Sequence, residues 1–227
     1  MPPQPETLAI ATSVHKPSGV DHQAAAAFAE RWGFPFVPRE DRSLPTLASA
    51  HGAEAIFIAS ARELALFAGD KPHRFHGGMG SLRVKRRKMG ERESVDGLLA
   101  AALLSEGESV LDCTVGLGQD ALVAASAIGP SGKLVGIEGS RILGAFVAEG
   151  LAALSRANGA APIEVRVGDH LVILRSLPDA SFDVVLFDPM FRRALEQAPT
   201  FDLVRKFGAG EPLTPEALAE ARRVARR

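Results

Sequence analysis

Short apolar runs alternate with longer segments of helical character along the second part of the chain. The apolar runs predict strands at residues 109–113, 133–137, 164–167 and 182–187. The segments between them predict helices at residues 119–128, 141–157 and 170–177. Alternation of strand and helix is typical of a parallel sheet with helices on both faces. We therefore predict an α/β fold built on a doubly wound sheet.

Two further helices flank these elements. Ser94 is placed to cap a short helix, and Thr214 and Pro215 supply a cap and a first-turn proline for a helix predicted to reach the last residue. A doubly wound sheet needs another strand after that helix, so we expect a sheet lacking its last strands and a natural protein that continues past Arg227. The strand at 182–187 is apolar on both faces and should lie inside the sheet, because an unpaired apolar edge invites aggregation.

The first 90 residues predict a separate, smaller α/β region. Its predicted elements are strands at 7–12, 55–59 and 63–68 and a helix at 23–32. The helix should end at Gly33, and the last two strands are close enough in sequence to pair. A glycine-rich segment at 77–80 predicts a flexible or tight connection. We place the domain boundary near residue 90, with domains at 1–90 and 91–227.

Composition excludes several classes of protein. The 227 residues are 46% apolar and 23% charged, with a formal net charge of −1, which is a globular composition without a uniform affinity for polyanions. Cys113 is the single cysteine, which excludes a disulfide framework and a multi-cysteine zinc site. The histidines at 73 and 76 have no partner at ligand spacing, so we expect no metal. The chain shows neither a signal peptide nor an apolar run of membrane-spanning length, which makes the cytoplasm the expected location.

The most informative motif follows the strand at 109–113. Glycines at 116 and 118 let the backbone approach a ligand, and the helix that begins after them directs unpaired N–H groups toward it. Glu138, at the end of the next strand, is placed to accept hydrogen bonds from both ribose hydroxyls of a nucleotide-like cofactor. Asp169 should lie near an adenine amino group, with His170 beside the base. The residues predicted to bind the cofactor are Asp112, Thr114, Gly116, Leu117, Gly118, Gln119, Asp120, Glu138, Gly139, Asp169, His170 and Asp188.

Two cofactors fit the glycine pattern alone. Residues 116–121 also satisfy the G-x-G-x-x-G/A fingerprint of NAD-binding proteins. Asp112 favours S-adenosylmethionine, because an acid before the turn can accept a hydrogen bond from a methionine ammonium but would repel a pyrophosphate. A tight strand-to-helix turn without a ligand is the third interpretation.

A second motif, Asp188-Pro189-Met190-Phe191, follows the strand at 182–187. The amine of a nucleobase is a poor nucleophile, and two acceptors on its hydrogens can direct its lone pair toward a methyl donor. Asp188 and the carbonyl of Pro189 fit these acceptor roles, and Phe191 fits a stacking role against the base. An ordinary strand-ending turn with a core phenylalanine is the alternative.

Taken together, the run 112–120, Glu138 and the 188–191 motif resemble the bacterial family of small-subunit ribosomal RNA guanine-N2 methyltransferases and their relatives. The likeness extends over nearly the whole chain, and Met190 is its most specific part, since most amine methyltransferases have a second proline there. The resemblance implies a Rossmann-like domain of the class I methyltransferases behind a small N-terminal region. It also implies that Gln119, Asp120, Glu138 and Asp188 line a pocket for S-adenosylmethionine.

A basic segment precedes the predicted catalytic domain. Six cations face one acid there, Glu91, and neutralising RNA phosphates is an evident use for them. The solvated face of a helix is the alternative interpretation. The cations are Arg83, Lys85, Arg86, Arg87, Lys88 and Arg92.

The sequence thus predicts an S-adenosylmethionine-dependent methyltransferase acting on an exocyclic amine of an RNA base, by resemblance guanine N2 of ribosomal RNA. Two alternatives remain open at this point. One is an NAD-linked oxidoreductase, although the chain has no tyrosine for a Tyr-Lys pair. The other is a non-catalytic RNA-binding module with a degenerate methyltransferase fold.

Overall fold

The computed structural model describes residues 8–69, 71–90, 96–189, 202–208 and 213–227. The chain divides into two compact units, one up to Phe75 and one from His76 onward. This division comes earlier in the chain than the sequence-based boundary near residue 90, because the helix that carries the basic segment packs within the second unit.

The first unit contains a four-stranded sheet of order β1-β2-β3-β4. Its elements are β1 (Ala9–Ser13), α1 (Gly19–Trp32), α2 (Leu44–His51), β2 (Ala55–Ala59), β3 (Leu64–Phe67) and β4 (Pro72–Arg74). β1 and β2 are parallel, whereas β2 pairs with β3 and β3 with β4 in antiparallel fashion. The predicted pairing of the strands near 55–59 and 63–68 is therefore confirmed.

Helix α1 begins earlier than predicted because Ser18 caps it. The Ser18 side chain accepts from the Asp21 N–H while the Asp21 side chain accepts from the Ser18 N–H, which forms a capping box. The helix ends at Gly33, whose φ of 67° is the left-handed conformation that favours glycine. Phe28 and Phe57, with ring centroids 5.0 Å apart, belong to the apolar interior of this unit.

The second unit contains a four-stranded sheet of order β7-β6-β5-β8, in which every pairing is parallel. Its elements are α3 (Gly78–Lys88), α4 (Gly97–Ala102), β5 (Ser109–Asp112), α5 (Gln119–Ile128), β6 (Lys133–Glu138), α6 (Arg141–Asn158), β7 (Ile163–Val167), α7 (His170–Ser176), β8 (Val184–Leu186), α8 (Asp202–Phe207) and α9 (Pro215–Val224). Strands β5, β6 and β7 are added in one direction across the sheet, and β8 then returns to the other side of β5. This is the Rossmann-like arrangement that the sequence predicted.

The interior of this sheet is formed by its central strands. Leu111 of β5 and Val135 and Ile137 of β6 are almost completely buried, and one face of them packs with Val224 of α9. Every residue of α5 from Ala121 onward is also buried, because the helix lies between the sheet and its neighbours. The strands are therefore covered on both faces, as a parallel sheet requires.

The prediction that the last helix reaches the end of the chain is wrong. Helix α9 ends at Val224, and Ala225 takes an extended conformation. Ala225 forms a parallel bridge with Phe182, and the Arg226 N–H donates to the Phe182 carbonyl at 2.8 Å. The residues after α9 thus leave the helix to pair beside the segment that leads into β8.

Helices α3 and α4 also differ from expectation. The glycine-rich segment at 77–80 opens α3 instead of forming a loop, because Gly80 allows that helix to lie against α5. A Cβ at Gly80 would lie 2.7 Å from the Gln119 carbonyl oxygen. The cap of α4 is Asp96, which accepts from the N–H groups of its first turn, and Ser94 lies outside the described residues. Within the described ranges no helix is long and apolar enough to cross a membrane.

Candidate active site

A cleft opens at the carboxyl end of the parallel sheet, where four strands finish. It contains about 750 Å³ of empty space, open solvent included. Its lining residues come from the ends of β5, β6, β7 and β8 and from α8. They are Cys113, Thr114, Gly116, Ile137, Glu138, Gly139, Gly168, Asp169, His170, Asp188, Pro189, Val204 and Gly208.

The two glycines of the turn after β5 have different roles. Gly116, with a φ of 52°, lines the cleft, and a Cβ there would meet only the Thr114 carbonyl oxygen, at 3.9 Å. Gly118, with a φ of 71°, is buried, and a Cβ there would lie 2.6 Å from the Leu151 side chain. Gly116 therefore leaves space for a ligand, whereas Gly118 leaves space for the packing of α6 against the start of α5.

Glu138 joins the turn to the end of β6. One carboxylate oxygen accepts from the Gly116 N–H at 3.1 Å and the other from the Ser140 N–H at 2.9 Å. Burial raises the pKa of Glu138, and these two hydrogen bonds oppose the shift. Each carboxylate oxygen can accept more than one hydrogen bond, so the group keeps acceptor capacity toward the cleft that it lines.

Asp112 lies behind the turn and does not line the cleft. Its side chain is buried and accepts from the Thr114 N–H at 2.9 Å. Burial raises the pKa of Asp112 to about 7, and the carboxylates of Asp120, Asp188 and Glu138 act in the same direction. Asp112 is therefore a buried acid that holds the turn bounding the cleft.

The start of α7 brings two predicted residues to the cleft. Asp169 caps this helix by accepting from the Val172 N–H at 2.9 Å, and it lines the cleft. The His170 ring packs edge-on against the Phe187 ring, with centroids 5.7 Å apart and an interplanar angle of 83°. The ring of His170 is thereby held at the wall of the cleft.

Asp188 and Pro189 follow β8 at the mouth of the cleft. The Asp188 N–H donates to the Thr114 hydroxyl at 2.7 Å, which ties the end of β8 to the turn after β5. Partial burial and the neighbouring Asp120 carboxylate raise the pKa of Asp188, while the positive charge of Arg83 lowers it. Met190 and Phe191 lie outside the described residues.

Asp188 also lines a second cavity. Asp120 and Phe187 line it with Asp188, and so does Arg86 of the basic helix. Asp188 is thus common to the cleft and to a second space with both charged and apolar walls. The complete lining is Met79, Arg83, Arg86, Asp96, Gly97, Leu98, Asp120, Phe187 and Asp188.

The structure brings most of the predicted site residues together at the cleft. Those that line it are Thr114, Gly116, Glu138, Gly139, Asp169, His170, Asp188 and Pro189. Those that do not are Asp112, Leu117, Gly118, Gln119 and Asp120. Val204 and Gly208 line the cleft without having been predicted, because α8 is too short to show a helical repeat in the sequence.

The cations of α3 divide into two groups. Arg83 forms ion pairs with Asp96 and Asp120. Arg87 and Lys88 donate to the backbone carbonyls of other helices, at 3.1 and 2.8 Å. Lys85 and Arg86 are exposed, and in the part of the chain that the structure describes neither has a hydrogen-bond or ion-pair partner. Arg92 lies outside the described residues.

Comparison with known sequences identifies a family. Residues 47–203 match the family described as "Putative SAM-dependent methyltransferase". The protein YpiP of Bacillus subtilis strain 168, described as uncharacterized, is 33% identical over 228 residues, which cover 95% of this chain and 85% of YpiP.

Comparison with solved structures finds methyltransferases at low similarity. The arsenic(III) S-adenosylmethionine methyltransferase CrArsM of Chlamydomonas reinhardtii is 21% identical, with a TM-score of 0.40 over 63% of this chain and 45% of CrArsM. A SAM-dependent methyltransferase of Aquifex aeolicus is 22% identical, with a TM-score of 0.39 over 63% of this chain and 66% of that one. The chain thus spans less than two thirds of either structure.

Proposed function

The chain belongs to this family of S-adenosylmethionine-dependent methyltransferases, and we propose that its methyl acceptor is an exocyclic amine of an RNA base. Guanine N2 of ribosomal RNA is the acceptor that the sequence resemblance favours. Membership of the family selects S-adenosylmethionine over NAD as the cofactor. The nature of the acceptor is argued below from the residues around the cleft.

The cleft has the features that S-adenosylmethionine requires. Gly116 leaves open space beside the turn, and Glu138 offers a buried carboxylate with acceptor capacity for ribose hydroxyls. Asp169 and His170 lie at the end of the neighbouring strand β7, where the adenine would be recognised. When bound, the cofactor supplies an electrophilic methyl group on a sulfonium.

Asp188 and Pro189 are proposed to hold the amine. Their carbonyl and carboxylate oxygens would accept hydrogen bonds from its two hydrogens, and this would orient the nitrogen lone pair. The Thr114 hydroxyl fixes the backbone of Asp188. The raised pKa of Asp188 also makes it a better acceptor for the proton that the amine loses than an ordinary carboxylate.

Arg86 supports the assignment to a nucleic acid. It is exposed, lines the second cavity together with Asp188, and follows the exposed Lys85 on α3. Cations beside an acceptor-binding carboxylate are suited to the phosphates that flank a target base. Phe191 is proposed to stack on that base, as the sequence motif suggests.

The observation that carries the proposal is the place of Asp188 at both the cofactor cleft and the second cavity. A group with this position can contact a methyl donor on one side and an acceptor on the other. Methyl transfer depends on such a shared boundary, because the reacting atoms must be held within about 3–3.5 Å of each other.

Transfer of a tritiated methyl group to RNA tests the proposal. The RNA should come from cells that lack this gene, so that the acceptor positions are unmodified. Asp188→Ala should reduce turnover by about a hundredfold, as expected for loss of one preorganised electrostatic partner. Asp41→Ala, at an exposed carboxylate, is the matched control and should leave turnover unchanged.

The alternatives give different results in the same assay. Binding of S-adenosylhomocysteine by calorimetry without any transfer to RNA would reject an RNA acceptor. RNA binding without transfer would instead favour a non-catalytic module. Equal turnover of Asp188→Ala and the wild type would remove Asp188 from the chemistry.

The salt dependence of RNA binding tests the basic helix. Replacing Lys85 and Arg86 with alanine should lower the slope of log affinity against log salt by about two, since each lost phosphate contact removes about one. Replacement of Lys133 and Arg222, two exposed cations elsewhere on the same unit, is the matched control. Identical slopes for the two double variants would show that α3 is only a solvated face.

A further inference from the structure

Arg83 lies at the centre of a cluster of carboxylates that joins three helices. Its guanidinium, on α3, contacts Asp96 at the start of α4 and Asp120 in the first turn of α5. The three side chains are 15–25% exposed, so the cluster is partly shielded from solvent. All three side chains line the second cavity, which Asp188 also lines.

Asp96 fixes the orientation of the Arg83 guanidinium. Its two oxygens accept from Nε at 2.7 Å and from Nη2 at 2.8 Å, which is the bidentate arrangement of a guanidinium and a carboxylate. Asp96 is itself fixed, because it also accepts from the N–H groups of Leu98 and Leu99 at the start of α4. The planar guanidinium therefore directs its remaining group, Nη1, in one direction.

That remaining group donates to the Asp120 carboxylate. Asp120 and Asp188 line the same cavity, and the Asp120 carboxylate raises the pKa of Asp188, the carboxyl group shared by the cleft and the second cavity. Two neighbouring carboxylates repel each other unless a proton or a cation lies nearby. Arg83 is such a cation, since it pairs with Asp120 and lowers the pKa of Asp188.

We propose that Arg83 is a positioning residue for methyl transfer, which fixes Asp120 against Asp188 and thereby sets the orientation and charge of the acceptor-binding carboxylate. This inference rests on the proposed function, since it takes Asp188 as the group that holds the amine. It also assigns Arg83 a role other than the phosphate contact suggested by the basic segment of the sequence.

The surroundings of Asp188 support this assignment. In the second cavity Asp188 lies with Asp120 on α5, Arg83 and Arg86 on α3 and Asp96 at the start of α4. In the cleft it lies with Cys113, Glu138, Asp169 and His170, at the ends of β5, β6 and β7. Asp112, on β5, lies close enough for its own pKa to be raised by the Asp188 charge. Acids thus surround Asp188 from β5 and α5, and without Arg83 its ionised form would be less favourable.

Arg83 is also poorly placed to bind RNA, because it would have to break its ion pairs first. A phosphate contact would require it to leave two carboxylates, one of them held by a pair of hydrogen bonds. Arg86 is exposed, and its side chain has no ion pair or hydrogen bond to break among the described residues. The two arginines should therefore differ in what their removal changes.

Arg83→Gln tests the inference, with Arg86→Gln as the contrast. Arg83→Gln should lower kcat by about 10- to 100-fold, because small misplacements of a positioning group have effects of this size. Its apparent KM for RNA and its salt slope should stay as in the wild type. Arg86→Gln should instead raise KM and reduce the salt slope by about one.

A direct titration separates positioning from a general loss of structure. Carbon-13 NMR of labelled aspartate can follow the Asp188 carboxyl in the free enzyme, with its resonance assigned by comparison with Asp188→Asn. Because the charge of Arg83 lowers the pKa of Asp188, its removal should raise the titration midpoint in Arg83→Gln. Arg83→Lys, which keeps the charge but loses the fork, should give a smaller shift.

Asp96→Asn serves where Arg83→Gln does not fold, because asparagine still caps α4 while it weakens the hold on the guanidinium. It should lower kcat with S-adenosylhomocysteine affinity unchanged. Unchanged turnover and an unchanged midpoint in Arg83→Gln would overturn the proposal, and so would a fall in RNA affinity alone. A shifted midpoint in an enzyme that methylates no RNA would reject the proposed function and leave the role of Arg83 in place.

Discussion

Asp112→Asn should stabilise the protein at alkaline pH. The native pKa of Asp112 is about 7 and its ordinary value is 3.8, because the side chain is buried. Between these two values the native state binds a proton that the unfolded state has lost. The free energy of unfolding therefore falls as the pH rises from about 4 to about 7 and is constant above that.

The magnitude follows from the difference between the two pKa values. One pH unit corresponds to about 1.4 kcal/mol. The raised pKa of Asp112 therefore lowers the free energy of unfolding by about 4 kcal/mol at pH 8 and by about 1–2 kcal/mol at pH 5. Asparagine carries no charge at either pH, and its oxygen can still accept from the Thr114 N–H. Burying the new amide hydrogens costs about 1–3 kcal/mol at both pH values.

This cost is the same at both pH values, so it cancels when the effect of the mutation on stability at pH 5 is subtracted from its effect at pH 8. Urea unfolding of the wild type and the variant at pH 5 and pH 8 should show the variant gaining about 3 kcal/mol more at pH 8 than at pH 5. An equal effect of Asp112→Asn at both pH values would refute the raised pKa.

The same variant tests the role that the sequence predicted for this residue. If Asp112 accepts a hydrogen bond from the methionine ammonium, the more stable variant should bind S-adenosylhomocysteine more weakly, by about 1.5–3 kcal/mol for a bond to a charged group. Stabilisation without any loss of affinity would leave Asp112 as a buried acid that only holds the turn.

Three other changes have defined outcomes. Glu138→Gln should weaken S-adenosylhomocysteine binding by about 1.5–3 kcal/mol by calorimetry, since a charge-assisted acceptor is lost, and unchanged affinity would remove Glu138 from the ribose site. Gly118→Ala should lower the unfolding free energy by about 1–3 kcal/mol more than Gly159→Ala, because both have positive φ but only the first would meet the Leu151 side chain. Gly80→Ala, whose methyl would lie 2.7 Å from a backbone oxygen of α5, should lower both the melting temperature and the turnover, and a normal melt with normal turnover would contradict the close packing of α3.

The sequence predicted the sheet of the second unit well because each strand and helix carries its own signal there. The strand and helix at 109–113 and 119–128 appear as β5 and α5 with nearly the same bounds, since a short apolar run and a glycine turn are local features. The elements it missed are short or begin atypically. Helix α2 has only eight residues, although Ser43 and an early proline mark its start.

The candidate site was predicted in part for a similar reason. Strand ends of a parallel sheet meet at one edge, so Glu138, Asp169 and Asp188 could be placed together from the order of elements alone. The direction that each residue of a turn faces depends on tertiary packing, so the local sequence motif does not predict it. Gly116 and Gly118 look equivalent in the motif, yet one faces the cleft and the other faces Leu151.

In the basic helix α3, the net charge does not reveal which cations are packed against the rest of the protein and which are exposed. Gly80, Arg83, Val84 and Arg87 recur at the spacing of one helical face, and the structure packs that face inward, with Val84 only 1% exposed. Two of the cations counted as a phosphate-binding patch therefore lie on the packed side of α3. The partners of Arg83 are 13 and 37 residues further along the chain, beyond the reach of any local motif. A count of charges treats Arg83 and Arg86 alike, whereas in the structure Arg83 pairs with two carboxylates and Arg86 is exposed, with no ion-pair partner among the described residues.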